Sequence, residues 1–144
     1  MAWRDARREI KNLLETVSIT SPVKQAINRV YETPPETVQD LPCFIIYPPA
    51  LAVERSSSLR IKRYTVRLRL LVSDADLDRA ADLVDAYREA AIDVFDGDLT
   101  LNHTCTQIVG PAVEEAASFA YAGRDYTGLD CLLTVEIKEA RAFS

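Results

Sequence analysis

The sequence predicts an α+β fold, in which a mixed, mostly antiparallel sheet of four to five strands carries two main helices packed on one face. Two segments, residues 59–73 and 129–138, alternate between apolar and polar side chains, as strands with one buried face do. Residues 2–17 and 76–95 repeat apolar side chains at helical spacing. Because the apolar face of each strand needs a covering layer, we expect the two helices to supply it.

The length and composition are typical of one globular domain, which we expect to span residues 1–144. A chain of 144 residues can bury a core without disulfides or metals, and 48% hydrophobic with 27% charged residues argues against disorder. The N-terminal residues carry charges throughout, which predicts no signal peptide. No apolar run approaches the roughly 18 residues of a membrane span. We therefore expect a soluble protein of a cytoplasm, with no membrane partner.

The first third of the chain begins with the helix over residues 2–17. Residues 18–31 fit two interpretations, since Ser21-Pro22 suits the start of a helix, whereas the apolar residues that follow suit a short strand. Residues 32–42 are predicted to form a loop, because two adjacent prolines block regular structure. An apolar run at 43–47, closed by two more prolines, predicts a buried strand.

The middle of the chain holds the clearest elements. Residues 50–58 are predicted to form a turn back or a short strand before the long strand at 59–73. Acidic residues from Asp74 onward favour the start of the second helix, and Gly97 favours its end.

After the second helix, a weaker strand is predicted near residues 105–109. The segment 110–124 is rich in Ala and Glu and is predicted to be a protruding hairpin or arm. The two strong strands are expected to present their polar faces on the same side of the sheet. If they pair, arginines of the first lie near acids of the second: Arg67 and Arg69 near Asp130 or Glu136.

Charge is distributed unevenly along the chain, whose net charge is −5. Residues 53–69 hold six cations against Glu54, a net of +5, and residues 74–98 hold nine acids against two arginines, a net of −7. The cations of this basic stretch are Arg55, Arg60, Lys62, Arg63, Arg67 and Arg69. Four acids of the second helix share one face and form an acidic row: Asp78, Asp82, Asp85 and Glu89. Unlike surfaces of opposite sign favour head-to-tail contacts between copies, which close into rings when the rotation permits.

No catalytic residue, metal site or cofactor site is predicted, and we expect a protein that is not an enzyme. Four glycines cannot build a phosphate-binding loop of either common kind. The single histidine, His103, lies two residues from Cys105, but no further Cys or His close in sequence completes a metal site. The acidic row lacks the contrast in environment that acid–base catalysis needs, and we interpret it as a solvated or partner-facing surface. The basic stretch offers only Tyr64, on the core side, for stacking with bases, so a charged surface is favoured over a nucleic-acid site.

The order of the segments is informative beyond the individual elements. An N-terminal helix and a Pro-rich loop precede four longer stretches: LPCFIIYPP at 41–49, RYTVRLRLLVS at 63–73, DLDRAADLVDAYREAAIDVF at 76–95 and YAGRDYTGLDCLLTVEI at 121–137. This order resembles the tail terminator (tail-completion) proteins of long-tailed bacteriophages and related phage-like particles. The similarity spans nearly the whole chain and rests on the pattern and order of segments.

The resemblance implies a subunit of a hexameric ring in the virion neck, assembled in the host cytoplasm. Such a ring caps the last tail-tube ring and joins the tail to the head-side connector or stopper protein. DNA passes through its lumen without sequence-specific binding. The resemblance makes the loop at 55–63 and the segment 110–125 candidate docking elements, and it makes four polar residues candidate lumen or interface groups: Arg67, Arg69, Asp130 and Glu136.

Two other functions fit the same sequence. A head-closure or tail-tube subunit of the same particle shares the small α+β plan. From another class, a small cytoplasmic enzyme or ligand-binding domain could have polar residues that converge only in the folded chain.

Overall fold

A computed structural model describes residues 2–140, and Met1 and residues 141–144 of the expected domain lie outside the described residues. The first helix, α1, spans Trp3–Leu14. It forms because Ala6, Ile10 and Leu14 recur on one face, where all three are fully buried. The prediction of a helix to residue 17 was wrong at its end. Val17 is buried in the core, but it lies beyond the helix, in a turn where its N–H donates to the Leu14 carbonyl at 3.2 Å.

Residues 18–31 form three short strands, which decides between the two interpretations of this segment. Strands β1 (Ser18–Ile19) and β2 (Gln25–Ala26) pair with each other in an antiparallel two-stranded sheet. Ser21-Pro22 lies in the turn between them. Strand β3 (Arg29–Tyr31) follows and joins the main sheet.

The next strands form one side of the main sheet. Strand β4 (Cys43–Ile46) is buried at all four residues, as predicted for this apolar run, whereas β5 (Ala50–Arg55) is exposed at all six. Both pair antiparallel with the long strand β6 (Leu59–Ser73). Thus β4 and β5 lie on the same side of β6, one after the other, with Pro48-Pro49 between them.

The second helix, α2, spans Leu77–Asp96, close to its predicted bounds. The Asp76 side chain caps it by accepting a hydrogen bond from the Arg79 backbone N–H at 3.1 Å. Gly97 follows the last helical residue. The helix buries five residues at helical spacing: Ala80, Val84, Tyr87, Ala91 and Phe95.

The last strands form the other side of the sheet. They are β7 (Gln107–Val113), β8 (Ala117–Tyr121) and β9 (Arg124–Ala140). Strands β8 and β9 form a hairpin whose two turn residues, Ala122 and Gly123, both have positive φ, as a tight hairpin turn requires. The segment predicted as a protruding hairpin or arm holds the end of β7, strand β8 and the hairpin turn, and both strands pair with β9.

The main sheet is mixed and larger than predicted. Among residues 2–140 it has seven strands in the order β3-β4-β6-β9-β7, with β5 also on β6 and β8 also on β9. Strand β3 runs parallel to β4, and the other neighbours in this sheet run antiparallel. The predicted count of four to five strands was too low because β3, β5 and β8 are too short to show a sustained alternation.

Both helices pack on one face of the sheet, against alternate residues of β6 and β9 such as Leu68, Leu70 and Leu133. A smaller apolar cluster lies on the opposite face: Tyr31, Val38, Cys43, Ile45, Leu71 and Tyr126. Neither helix within the described range is long and apolar enough to cross a membrane.

Candidate functional site

The face of the sheet opposite the helices carries a row of ion pairs between β6 and β9, which we call the charged ladder. It consists of Arg63, Arg67 and Arg69 on β6 with Asp130 and Glu136 on β9. The two strands pair so that Arg69 lies opposite Asp130 and Arg63 opposite Glu136. The strict alternation of both strands therefore puts apolar residues under the helices and these five charges on the other side.

Asp130 is the most buried charge of the ladder, with 2% of its surface exposed. Arg69 donates to it with two hydrogen bonds, Nε to Oδ1 at 2.9 Å and Nη2 to Oδ2 at 3.0 Å, and Arg67 donates a third to Oδ2. The hydrogen bond to Asp130 is the main cause that raises the pKa of Arg69. A buried carboxylate is tolerated here because two cations and a two-bond geometry compensate its lost hydration.

Aromatic side chains enclose the same arginine. The Arg69 guanidinium lies 4.2 Å from the centre of the Phe119 ring and 5.3 Å from that of Tyr47. Phe119 belongs to β8, and the Tyr121 hydroxyl on that strand donates to the backbone carbonyl of Pro35. The β8–β9 hairpin is thus held down on this face at two points, which argues against a free arm in this subunit.

Glu136 forms the second centre of the ladder and is 8% exposed. It accepts hydrogen bonds from Gln107 Nε2 at 2.7 Å and from Arg63 Nε at 2.9 Å. These two contacts, that of Gln107 first, lower the pKa of Glu136. Arg63 also donates to Glu54 of β5 at 2.6 Å, so one arginine links three strands.

Glu139 of β9 pairs with the two remaining cations of β6. These two cations and Glu139 lie on the helix side of the sheet. Arg60 lies opposite Glu139 and donates to it, and Lys62 Nζ lies 3.2 Å from Glu139 Oε1. Sequence reasoning did not single out Glu139, nor the partners Glu54 and Gln107. Extending the alternation of β9 by one step past the predicted end at residue 138 would have found Glu139.

The basic stretch is therefore largely neutralised within the subunit. Its six cations lie among four carboxylates that pair with them, which leaves a net charge of +2. Arg55, exposed at the end of β5, forms no ion pair with any residue between 2 and 140. The sequence suggested a strongly positive element, and the folded chain reduces it to a nearly balanced one.

The acidic row on α2 keeps its charge. Asp78, Asp82, Asp85 and Glu89 are all exposed. In the described part of the chain, Asp85 alone of the four forms an ion pair, with Arg88 at 3.4 Å. The fold does not bring the acidic row and the charged ladder together, because the helix and the polar face of the sheet lie on opposite sides of the core.

Groups that sequence reasoning weighed for chemistry are separated. His103 is exposed in a turn with φ 65°, while Cys105 is buried. Burial raises the pKa of Cys43 and of Cys131 to about 12 and that of Cys105 to about 11, so all three thiols are protonated at neutral pH. Residues 2–140 contain no group of three or more His, Cys, Asp or Glu placed to hold a metal ion.

An open cavity of about 330 Å³ lies where α2 begins. Asp74, Asp76 and Asp125 line it together with Ser118 and Tyr126. The cavity is acidic, and none of the residues that line it belongs to the charged ladder.

No protein-family model matches this chain, and no curated protein matches it in sequence.

Proposed function

We propose that this protein is a structural subunit of a phage-like particle, a tail-terminator-like protein that acts by forming a ring. In this proposal a hexameric ring caps the tail tube and joins the tail to the head-side connector or stopper protein. The observation that carries the proposal is the order of segments over nearly the whole chain, from the N-terminal helix to the long last strand. The work of such a protein is binding between subunits, with no chemical step.

The acidic row supports an assembly role. Four exposed carboxylates on one helix face repel one another, and within the described residues only Asp85 has a cationic partner. A neighbouring subunit that supplies positive charge would relieve this repulsion and would guide docking and register. Arg55 at the end of the β5–β6 hairpin is one such cation, since it forms no ion pair within the described subunit. Contact between these unlike surfaces is head to tail, as a ring requires.

The charged ladder supports a passive role towards DNA. Proteins bind duplex DNA non-specifically through cations that neutralise phosphates. In this subunit Arg63, Arg67 and Arg69 already pair with Glu54, Asp130 and Glu136. A lumen lined by such a face would present alternating and mostly compensated charges, so DNA could pass without being held.

Native mass spectrometry of the purified chain tests the ring, with image averages of the same sample to count subunits. We expect a closed ring near six subunits that weakens as salt is raised. Asp82→Lys combined with Asp85→Lys should dissociate it, because both substitutions put positive charge into the acidic row. The matched control is Glu36→Lys with Asp40→Lys, which makes the same charge change in the exposed loop before β4.

Two outcomes are informative, of which the first would contradict the ring and the second only the charge-guided contact within it. One is a chain that stays monomeric at all salt concentrations and binds a small molecule in a cavity, which would favour the ligand-binding alternative. The other is a ring that resists both the added salt and the reversal in the acidic row. That result would leave assembly intact but remove the charge-guided contact from it.

A further inference from the structure

Strand β5 leaves one edge of the sheet open. All six of its residues are exposed, and among residues 2–140 it pairs with β6 alone. The opposite edge is better protected, since the Ile108 N–H of β7 donates to the Leu99 carbonyl at 2.9 Å and Gly110-Pro111 interrupts that strand. Open strand edges without proline, bulges or lysine readily accept another strand.

The outward-pointing backbone groups of β5 follow from the end of the hairpin. The Ser56 N–H donates to the Leu59 carbonyl at 2.9 Å, so Ser56 faces β6. In an antiparallel pair the residues alternate, which turns Glu54 and Ala52 towards β6 as well. The intervening residues are Leu51, Val53 and Arg55. Their N–H and C=O groups lie in the plane of the sheet and point outward from its open edge.

Two of these three residues, Leu51 and Val53, have apolar side chains that form a strip on the helix side of the sheet. Leu51 is 52% exposed and Val53 is 37% exposed. Leu51 lies opposite Tyr64, whose ring stacks on Trp3 with ring centres 5.3 Å apart. The strip therefore continues an apolar surface that begins at Trp3, the first residue of α1.

We propose that β5 pairs antiparallel with β5 of a second copy of this chain, about a two-fold axis at Val53. In this register Val53 lies opposite Val53 of the second copy, and Leu51 lies opposite Arg55. The aliphatic stem of Arg55 can cover Leu51 while its charged end stays in water. No two like charges lie directly opposite, so β5 is complementary to itself.

The number of hydrogen bonds favours this register. With the axis at Val53, the three outward residues of each copy form six backbone hydrogen bonds. With the axis at Ala52, only Leu51 and Val53 would take part, and four would form. A shift of the register by one residue would pair the apolar residues of the helix side, such as Val53, with residues whose side chains lie on the polar face. The alternation of the strand disfavours this pairing.

This dimer does not rest on the proposed ring. A two-fold contact joins two copies and stops, whereas ring contacts run head to tail. Arg55 takes part in both proposed contacts, but the acidic row of α2 takes part in the ring alone, so reversing its charge removes the ring contact and leaves the edge of β5 unchanged. Dimer measurements are therefore made with the chain that carries Asp82→Lys and Asp85→Lys.

Val53→Glu tests the dimer in that background. It places two carboxylates directly opposite each other across the axis, while within the subunit the new acid lies opposite Lys62. We expect the dimer dissociation constant from sedimentation to rise at least about tenfold. The control is Val109→Glu, the same change at a valine on the opposite edge that is 51% exposed, and it should leave the constant unchanged.

Amide hydrogen exchange provides a second readout that does not depend on any variant. The N–H groups of Leu51, Val53 and Arg55 should become protected as concentration rises, whereas those of Ala52 and Glu54 should be protected at every concentration. If the chain that carries Asp82→Lys and Asp85→Lys stays monomeric up to about 1 mM, the proposal is overturned. A dimer whose outward β5 amides exchange as fast as those of an open edge would also overturn it.

Discussion

Arg69 and Asp130 lie opposite each other on β6 and β9 and form a two-bond ion pair around a carboxylate that is 2% exposed. Arg67 binds the same carboxylate from two positions away on β6. The cluster also links these two strands to β8, because the Phe119 ring of β8 packs against the Arg69 guanidinium. The polar face of the sheet thus has a core of its own, built from charges and rings.

Asp130→Asn should destabilise the fold by about 3 kcal/mol, because it removes the carboxylate that Arg67 and Arg69 share and leaves two partly buried guanidinium groups without it. The free energy of unfolding from urea titration measures the change. Asp82→Asn is the control on the exposed acidic row and should change stability by no more than about 0.5 kcal/mol. Equal effects of the two substitutions would mean that the cluster contributes nothing beyond an ordinary surface pair.

Glu136 should make stability depend on acid pH. Hydrogen bonds from Gln107 and Arg63 lower its folded-state pKa below the unfolded value of about 4.3. Its contribution is therefore complete above that unfolded pKa and is lost as pH falls through the lower folded-state pKa. Urea midpoints measured from pH 7 downward should fall less steeply for Glu136→Gln than for the parent chain. Parallel curves for the two proteins would contradict this assignment.

Gly128 should not tolerate a side chain. A Cβ at this position of β9 would lie 1.8 Å from the Leu70 backbone carbonyl oxygen in β6, so alanine must push the two strands apart. We expect Gly128→Ala to cost about 3 kcal/mol in thermal or urea unfolding. Gly123→Ala is the comparison, since Gly123 has a positive φ (81°) but no atom lies within 4 Å of an added Cβ there, and the substitution should cost only about 1 kcal/mol. A smaller loss at Gly128 than at Gly123 would contradict the close approach.

The sequence predicted the two long strands, and it placed Arg67 and Arg69 near Asp130 or Glu136 if the strands pair, for a reason that holds generally. An alternation sustained over ten or more residues fixes which face of β6 and β9 is buried, and hence that Arg67 and Arg69 share a face with Asp130. It does not fix the register, because α2 and two further strands separate β6 from β9 in the chain. The pairing of Glu136 with Arg63, four residues before Arg67, therefore depended on the folded structure.

Short strands were harder to predict because distant residues hold them in place. Strand β5 is a strand because β6 pairs with it, and β8 is one because β9 does. In β8, Phe119 and Tyr121 face the small apolar cluster, but two aromatic residues in five give too little alternation to recognise. The same limit hid Phe119 as a partner of Arg69, which lies fifty residues earlier in the chain.

The balance of charge on the sheet should control non-specific binding of DNA. Glu136→Gln with Glu139→Gln removes two carboxylates that pair with Arg60, Lys62 and Arg63, which leaves Arg63 paired with Glu54 alone and frees Arg60 and Lys62 to contact phosphates. We expect duplex DNA to bind the double variant more tightly than the parent chain at low salt, with the slope of log K against log salt steeper by about one to two. Fluorescence anisotropy with a labelled duplex measures both.

Glu114→Gln with Glu115→Gln makes the same change in net charge at exposed positions that form no ion pair within residues 2–140, and should raise affinity less. Equal gains in the two variants would show that total charge governs the binding, and the ion pairs of the sheet would then have no special part in limiting it.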